Sequence, residues 1–239
     1  MNWSAGKIGT IDQRSAQANG LSTPPIGCVL HLVGLPGGGN KIYDRSPYGN
    51  IGTIVGAVWK RLPSGLWCLS FDGNDDYISC GTNSVMDFTS GDFTIEAWIR
   101  TEDLSVSNVI FCRGDLQADG YSFWINSAGY LNFQTWQSTA RQDTNSSTGG
   151  IVVDAWYHTA VTRVGAVAKL YKNGLDDTIT AGTHQDPTSS PDAAEIGIHN
   201  SANWPFEGFI ALPRVYNRAL SALEIQNHFN REKHLFGAW

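Results

Sequence analysis

Three carboxylates crowd one short stretch: Asp72, Asp75 and Asp76 fall within five residues, interleaved with Gly73 and Asn74. Hard oxygen donors at that density are the makings of a calcium site, since calcium collects about six to eight oxygens from carboxylates and carbonyls. The spacing is not that of an EF-hand loop. The same residues also suit a tight turn in which Asp and Asn side chains cap backbone N–H groups. Asp44 and Asn50 could add oxygens but read first as turn residues. A second group suits sugar, whose rings lay apolar C–H faces on indoles while amides and charged groups read the hydroxyls. Trp204, beside Asn203 in a loop, and Trp136, close to Arg141, are the candidates, with the polar stretch 141–148 as a rim. The competing reading puts these tryptophans in a core.

Catalysis has less to work with. There is no G-x-S-x-G elbow, no H-E-x-x-H pair, and no Glu-x-Asp-x-x-Glu strand that would set two carboxylates about a glycosidic bond. His184, His199, His228 and His234 are scattered, and His158 reads as a core or edge histidine. Cys28, Cys68, Cys80 and Cys112 make no C-x-x-C pair, so zinc is not expected. Cys68 and Cys80 either bridge a hairpin or sit buried as small hydrophobes. The expectation is a protein that is not an enzyme and whose one candidate cofactor is calcium.

The elements that must carry these residues are strands. Residues 93–100 alternate, with Phe93, Ile95, Ala97 and Ile99 on one face and Thr94, Glu96, Trp98 and Arg100 on the other. Glu96 reads as a solvated strand residue. Residues 121–125 and 130–134 flank a short Gly-containing turn and predict a hairpin, and 156–163 with 167–171 predict another pair. Trp124 and Trp136 fall opposite the apolar sets of their strands. Asn173-Gly174 is a type I′ turn signal leading into Thr178-Ile179-Thr180. One helix is expected over 222–231, opened by the Ser221/Glu224 capping box and burying Leu223, Ile225 and Phe229. About ten short strands, one late helix and no β-α-β alternation give an all-β, two-sheet antiparallel β-sandwich.

The chain has 239 residues, enough for one large β-domain. Its formal charge is −6 and only 16% of residues are charged, with no Lys/Arg cluster, which argues against nucleic acid as a partner. No run approaches the roughly 20 apolar residues of a membrane span, so no membrane insertion is expected. The first twenty residues are polar and predict no signal peptide. The chain divides into an extended arm over 1–26, a domain over 27–232 and an aromatic tail over 233–239. The arm and the tail could each dock on a second copy or on a capsid or fibre protein.

Residues 69–78, LSFDGNDDYI, resemble a signature of LamG-like, concanavalin A-like jelly-roll domains of the lectin-glucanase type. Six further segments resemble the family in its own order: 43–53, 93–99 (FTIEAWI), 156–162 (WYHTAVT), 170–174 (LYKNG), 206–210 (FEGFI) and 215–225 (VYNRALSALEI). The resemblance covers about 28–230. It implies a jelly roll that binds rather than catalyses, a glycan or cell-surface ligand, frequent use of calcium, and display outside the cell or on a particle such as a virion. It also implies structural roles for Glu207, Arg214 and Arg218. Where the family has an acid after position 210, this chain has Ala211. The leading expectation is glycan recognition or adhesion. A virion decoration or fibre component is the alternative, and a glycoside hydrolase of the same fold comes third.

Overall fold

The computed structural model describes residues 24–115, 118–138, 140–147, 149–199 and 204–237. Most of the expected arm, as well as Asn203, Ala238 and Trp239, lies outside the described residues.

Two antiparallel sheets hold the described strands. The first runs β14 (Leu175–Asp176), β13 (Val167–Lys172), β12 (Tyr157–Val164), β7 (Phe93–Thr101), β17 (Glu207–Tyr216), β5 (Trp67–Asp72) and β4 (Val58–Arg61). An eighth strand, β1 (Cys28–His31), also pairs with β17. The second sheet runs β15 (Thr178–Thr180), β11 (Ala140–Ser146), β10 (Leu131–Gln137), β9 (Tyr121–Ile125), β8 (Asn108–Arg113), β16 (Ala194–Ile196), β6 (Tyr77–Ser79), β3 (Gly52–Val55) and β2 (Lys41–Ile42). Alternation along the strands aims one set of side chains into the space between the sheets. Phe93, Ile95, Ala97 and Ile99 of β7 meet Phe111, Phe123, Ile125, Leu131 and Phe133 of the second sheet there.

A helix, α1 (Ala222–Glu232), adds a third layer on the far face of the first sheet. Ser221 Oγ accepts the Glu224 N–H and the Glu224 carboxylate accepts the Ser221 N–H, so the expected capping box is formed. The buried stripe is Ile225, His228 and Glu232, with Phe229 partly buried, whereas Leu223 is 65% exposed. Spacings of three, four and seven residues from Ile225 define that stripe, and Leu223 stands off it.

This layer corrects the reading of Glu96, which is fully buried beneath the helix. Tyr216 OH donates to Glu96 Oε1 at 2.6 Å, and His228 Nδ1 lies 3.0 Å from the same oxygen. Arg214 Nε stands 3.0 Å from Glu96 as an ion pair, and its Nη2 donates to both oxygens of Glu232 at 2.8 and 2.7 Å. Burial pushes the Glu96 carboxyl up, but Arg214 and the hydrogen bonds from His158 and His228 hold it well below the usual carboxylate range. Arg214 thus pins the last strand to the helix, the structural role expected of it.

Two other expectations change, and the alternative left open for the cysteines is resolved. Asn173 and Gly174 both have positive φ (52° and 80°), as a type I′ turn requires. The hairpin they close ends at Asp176, however, and Thr178–Thr180 pairs with β11 in the other sheet. Residues 140–146 form a strand rather than a rim loop. Cys68 and Cys80 do not bridge, because all four cysteines are buried thiols. Burial raises the pKa of Cys28 and Cys68 to about 12. The chain after the helix also packs at home: Phe236 stacks on Trp98 with ring centroids 4.1 Å apart and lies 4.8 Å from Trp156. Trp98 Nε1 donates to Glu232 Oε2 at 2.8 Å, which fixes the platform.

Candidate functional site

The helix and Phe236 cover the outer face of the first sheet. The outer face of the second sheet is chemically different. Across it one register row runs Lys41, Thr53, Ser79, Glu195, Cys112, Ser122, Gln134 and Asp143, each residue directly opposite the next on the neighbouring strand. A second row holds Val109, Trp124, Asn132 and Asn145, and a third pairs Trp136 with Arg141. Asn132 and Trp136 lie four residues apart on β10, about 14 Å at strand rise. Gln134 lies between them.

These side chains are polar yet inaccessible. Ser122, Gln134, Asn132, Trp136 and Trp124 are 1%, 2%, 5%, 5% and 8% exposed. Asn132 Nδ2 donates to Asn145 Oδ1, but Asn132 Oδ1, Gln134 Oε1, Ser122 Oγ and both indole nitrogens have no protein partner. The same is true of Asp143 Oδ1 and Glu195 Oε2. Buried polar groups are as a rule paired, and each unmade hydrogen bond costs about 1–3 kcal/mol. Among the described residues seven of the nineteen such atoms lie on this face. Burial and the neighbouring Asp192 push the Glu195 carboxyl up to about 7.

Trp204 caps one end. Its ring stacks on Trp124 with centroids 4.7 Å apart, and its carbonyl accepts the Val109 N–H at 3.1 Å. Trp204 has φ 53°, the left-handed region that a bulky side chain enters only at a cost of about 1–3 kcal/mol. His199 meets it edge-on, and burial pushes that imidazole down to about 4. At the other end the Arg141 guanidinium lies 5.7 Å from the Trp136 ring centre, and its Nε is 3.1 Å from Asp143 Oδ2. Three of the four expected sugar-binding residues, Trp204, Trp136 and Arg141, therefore belong to one face, while Asn203 lies outside the described residues. Trp136 is a nearly buried indole rather than an open platform, and Trp204 is partly buried. Sequence reasoning missed Ser122, Asn132, Gln134 and Glu195, and had Asp143 in the polar stretch 141–148. The outward positions of the hairpin strands, Ser-Trp and Asn-Gln-Trp, carried a signal for three of them.

The acidic turn is a separate place. The ligand oxygens of Asp72, Asp75 and Asp76 lie within 4.8 Å of one another. Asp72 accepts from the Asn74 N–H at 2.9 Å and from the Asn74 side chain, which lowers its pKa. Asp76 is buried and accepts the Asp72 N–H at 2.9 Å; burial and the charges of Asp72 and Asp75 raise its pKa. An all-oxygen donor set suits calcium in kind, and three side chains supply part of the coordination it needs. Ala211 has no bearing on this turn. It pairs with Trp98 and packs with Leu212, Leu235 and Phe236, four positions along β17 from Glu207, the residue that faces Asp72. Asp44 and Asn50 are turn residues: Asp44 accepts from the backbone of His31, Ser46 and Asn50, and Asn50 donates to Val29 O.

Residues 72–226 match the profile of the family described as the concanavalin A-like lectin/glucanases superfamily. No curated protein matches the sequence. Similar solved structures include the binding domain of Paraclostridial Mosquitocidal Protein 1, with TM-score 0.66 and 18% identity over 85% of this chain and 52% of that one. The botulinum neurotoxin serotype D ligand binding domain in complex with N-acetylneuraminic acid gives 0.65 and 15%, covering 85% and 50%. The binding domain of botulinum neurotoxin DC in complex with rat synaptotagmin II gives 0.62 and 17%, covering 85% and 51%. The chain spans about half the length of these toxin domains, and at such identities the likeness is one of fold. The neighbours are binding domains. Among the described residues no helix is long and apolar enough to cross a membrane.

Proposed function

Because the chain belongs to the concanavalin A-like lectin/glucanase superfamily, we propose that it is a non-catalytic module that binds a glycan on the outer face of its nine-stranded sheet. One observation carries this reading: that face is rimmed by Trp204, stacked on Trp124, at one end and by the Arg141 guanidinium over Trp136 at the other, with a row of polar side chains between them. Hydroxyl-rich ligands donate and accept at every ring position and suit a mixed rim of amide, guanidinium and carboxyl groups. The carboxylates support binding over hydrolysis. Glu195 and Asp143 sit four strand spacings apart, about 19 Å, whereas glycosidases hold their pair within about 5–10 Å. Calcium at Asp72, Asp75 and Asp76 is a second part of the reading, and display on an extracellular or particle surface is the setting it implies. Assembly into a virion through the aromatic tail gains less support, since Phe236 is already stacked on Trp98 of its own domain.

The test is a glycan array probed with the parent and with Trp204→Ala, beside melting curves of both. Binding lost in the variant with melting shifted by no more than a few degrees is the expected result. A variant that binds as the parent does, or an array on which the parent binds nothing, overturns the reading.

A further inference from the structure

We propose that this domain carries a second binding site, apart from the outer face of the nine-stranded sheet, that takes a small aromatic monocarboxylate. A cavity of about 440 Å³ opens where the described chain begins, lined by Pro24, Pro25 and Ile26 from the entry to β1 and by Arg45, Pro47 and Tyr48 from the loop after β2. Small-ligand pockets run from about 300 to 1,000 Å³. This one is open to solvent, since Ile26 is 86% exposed and Tyr48 46%. Both segments are tied down. Pro25 O accepts the Cys28 N–H at 3.0 Å, and Ile26 O accepts from Arg218 Nε at 2.8 Å. The Tyr48 N–H donates to Ser46 Oγ at 3.2 Å, and the three prolines fix φ along the lining. A ligand therefore meets a shape already made, with little ordering to offset its contacts.

Charge selects the ligand. The lining contains one cation and no acid. Among the described residues no carboxylate pairs with Arg45. Its neighbour Asp44 is spent on the loop itself, accepting the N–H groups of His31, Ser46 and Asn50 at 2.8 Å each. Arg218, against Gly27, is held by both oxygens of Glu224. The Cys28 thiol donates to Leu30 O at 3.1 Å, and burial raises its pKa to about 12, so it brings no charge. A guanidinium fork matches a carboxylate in two parallel hydrogen bonds. One fork in the lining balances one negative charge, which fits a monocarboxylate better than a phosphate dianion. The Tyr48 ring offers a face for aromatic stacking, and Ile26 with the prolines offers apolar surface, so the rest of the ligand is a flat apolar ring.

The experiment titrates the full chain by calorimetry with 3-phenylpropionate and with its uncharged amide, 3-phenylpropionamide. The parent, Arg45→Gln, Tyr48→Ala and Asp12→Asn are compared, Asp12 being the one acid in residues 1–23, outside the described residues. The parent and Asp12→Asn should bind the acid about tenfold or more tightly than the amide, a preference that Arg45→Gln abolishes. Tyr48→Ala should weaken both ligands severalfold. Arg45 and Tyr48 are exposed, so these losses are expected with melting curves that match the parent's. No binding of the acid by the parent, a preference that Arg45→Gln leaves unchanged, or affinities that Tyr48→Ala does not alter overturns the inference. Binding that appears only in Asp12→Asn overturns it too, and gives Arg45 to a carboxylate of its own chain.

Discussion

Replacing Ser122 by alanine should stabilise the protein. Ser122 sits between Cys112 and Gln134 in the row across the second sheet, 1% exposed, its hydroxyl without a protein partner. In an ordinary buried site, losing a hydroxyl costs a hydrogen bond of about 1 kcal/mol. Here no protein bond is lost, and a desolvation penalty of about 1–3 kcal/mol is removed. Discounting for the small void left by one oxygen, a net gain of about 1 kcal/mol is expected. For a domain of this size that raises Tm by about 2–4 °C. Gln134→Leu should act in the same direction, though the two residues are direct neighbours and their effects need not add. Differential scanning calorimetry reads the stability. A lower Tm in Ser122→Ala would show that the hydroxyl is already satisfied in the folded state and would refute the reasoning.

Phe236→Ala removes the ring that covers Trp98 and should cost about 3 kcal/mol, a Tm drop of roughly 6–12 °C, with no change of particle size by light scattering; a lost oligomer with unchanged melting would contradict the packing described. Glu195, raised to about 7 in the fold against about 4.3 when unfolded, contributes stability that is complete below about pH 4.3 and lost as pH rises through 7. His184 and His199, held neutral with values of about 4, act the other way as pH falls from about 6.5 to 4, so the informative quantity is a difference. Glu195→Gln should gain on the parent in melting temperature between about pH 5 and 8, and parallel curves would count against a buried carboxyl. Calcium at about 100 times its Kd should raise Tm by roughly 5–10 °C in the parent and not in Asp75→Asn, reversibly with chelator. A parent indifferent to calcium removes the metal from the acidic turn.

Much of this architecture was legible in residue order. The alternation from Phe93 to Ile99, the hairpin around residues 126–129 and the Ser221/Glu224 box stand where expected, because each is set by local periodicity or local hydrogen bonding. Period two states that a strand has two faces without stating what covers them. Glu96 was therefore read as solvated, although a helix more than a hundred residues later closes over it. Leu223 failed for a similar reason, since its apolar character says nothing about which side of the helix meets the sheet. The candidate site was legible in part. Trp204, Trp136 and Arg141 drew notice as side-chain types, whereas Glu195 lies in a three-residue strand too short to show any pattern, and only the register across four strands sets it in line with Ser122 and Gln134.

The position of β17 bears on the order in which the chain can fold. This last strand lies at the centre of its sheet, between β7 and β5, and the first strand, β1, pairs with it as well, Cys28 opposite Tyr216. Until β17 is made, the ribosome-bound chain has two half-sheets whose inner edges face a gap, and a first strand with nothing to pair against. Unpaired edges of that kind invite pairing with other chains. Closing contacts so distant in sequence is also slow. Completion of this sandwich therefore waits for β17 and is nearly all-or-none, and a chain cut before β17 would expose its edges rather than form a smaller stable domain.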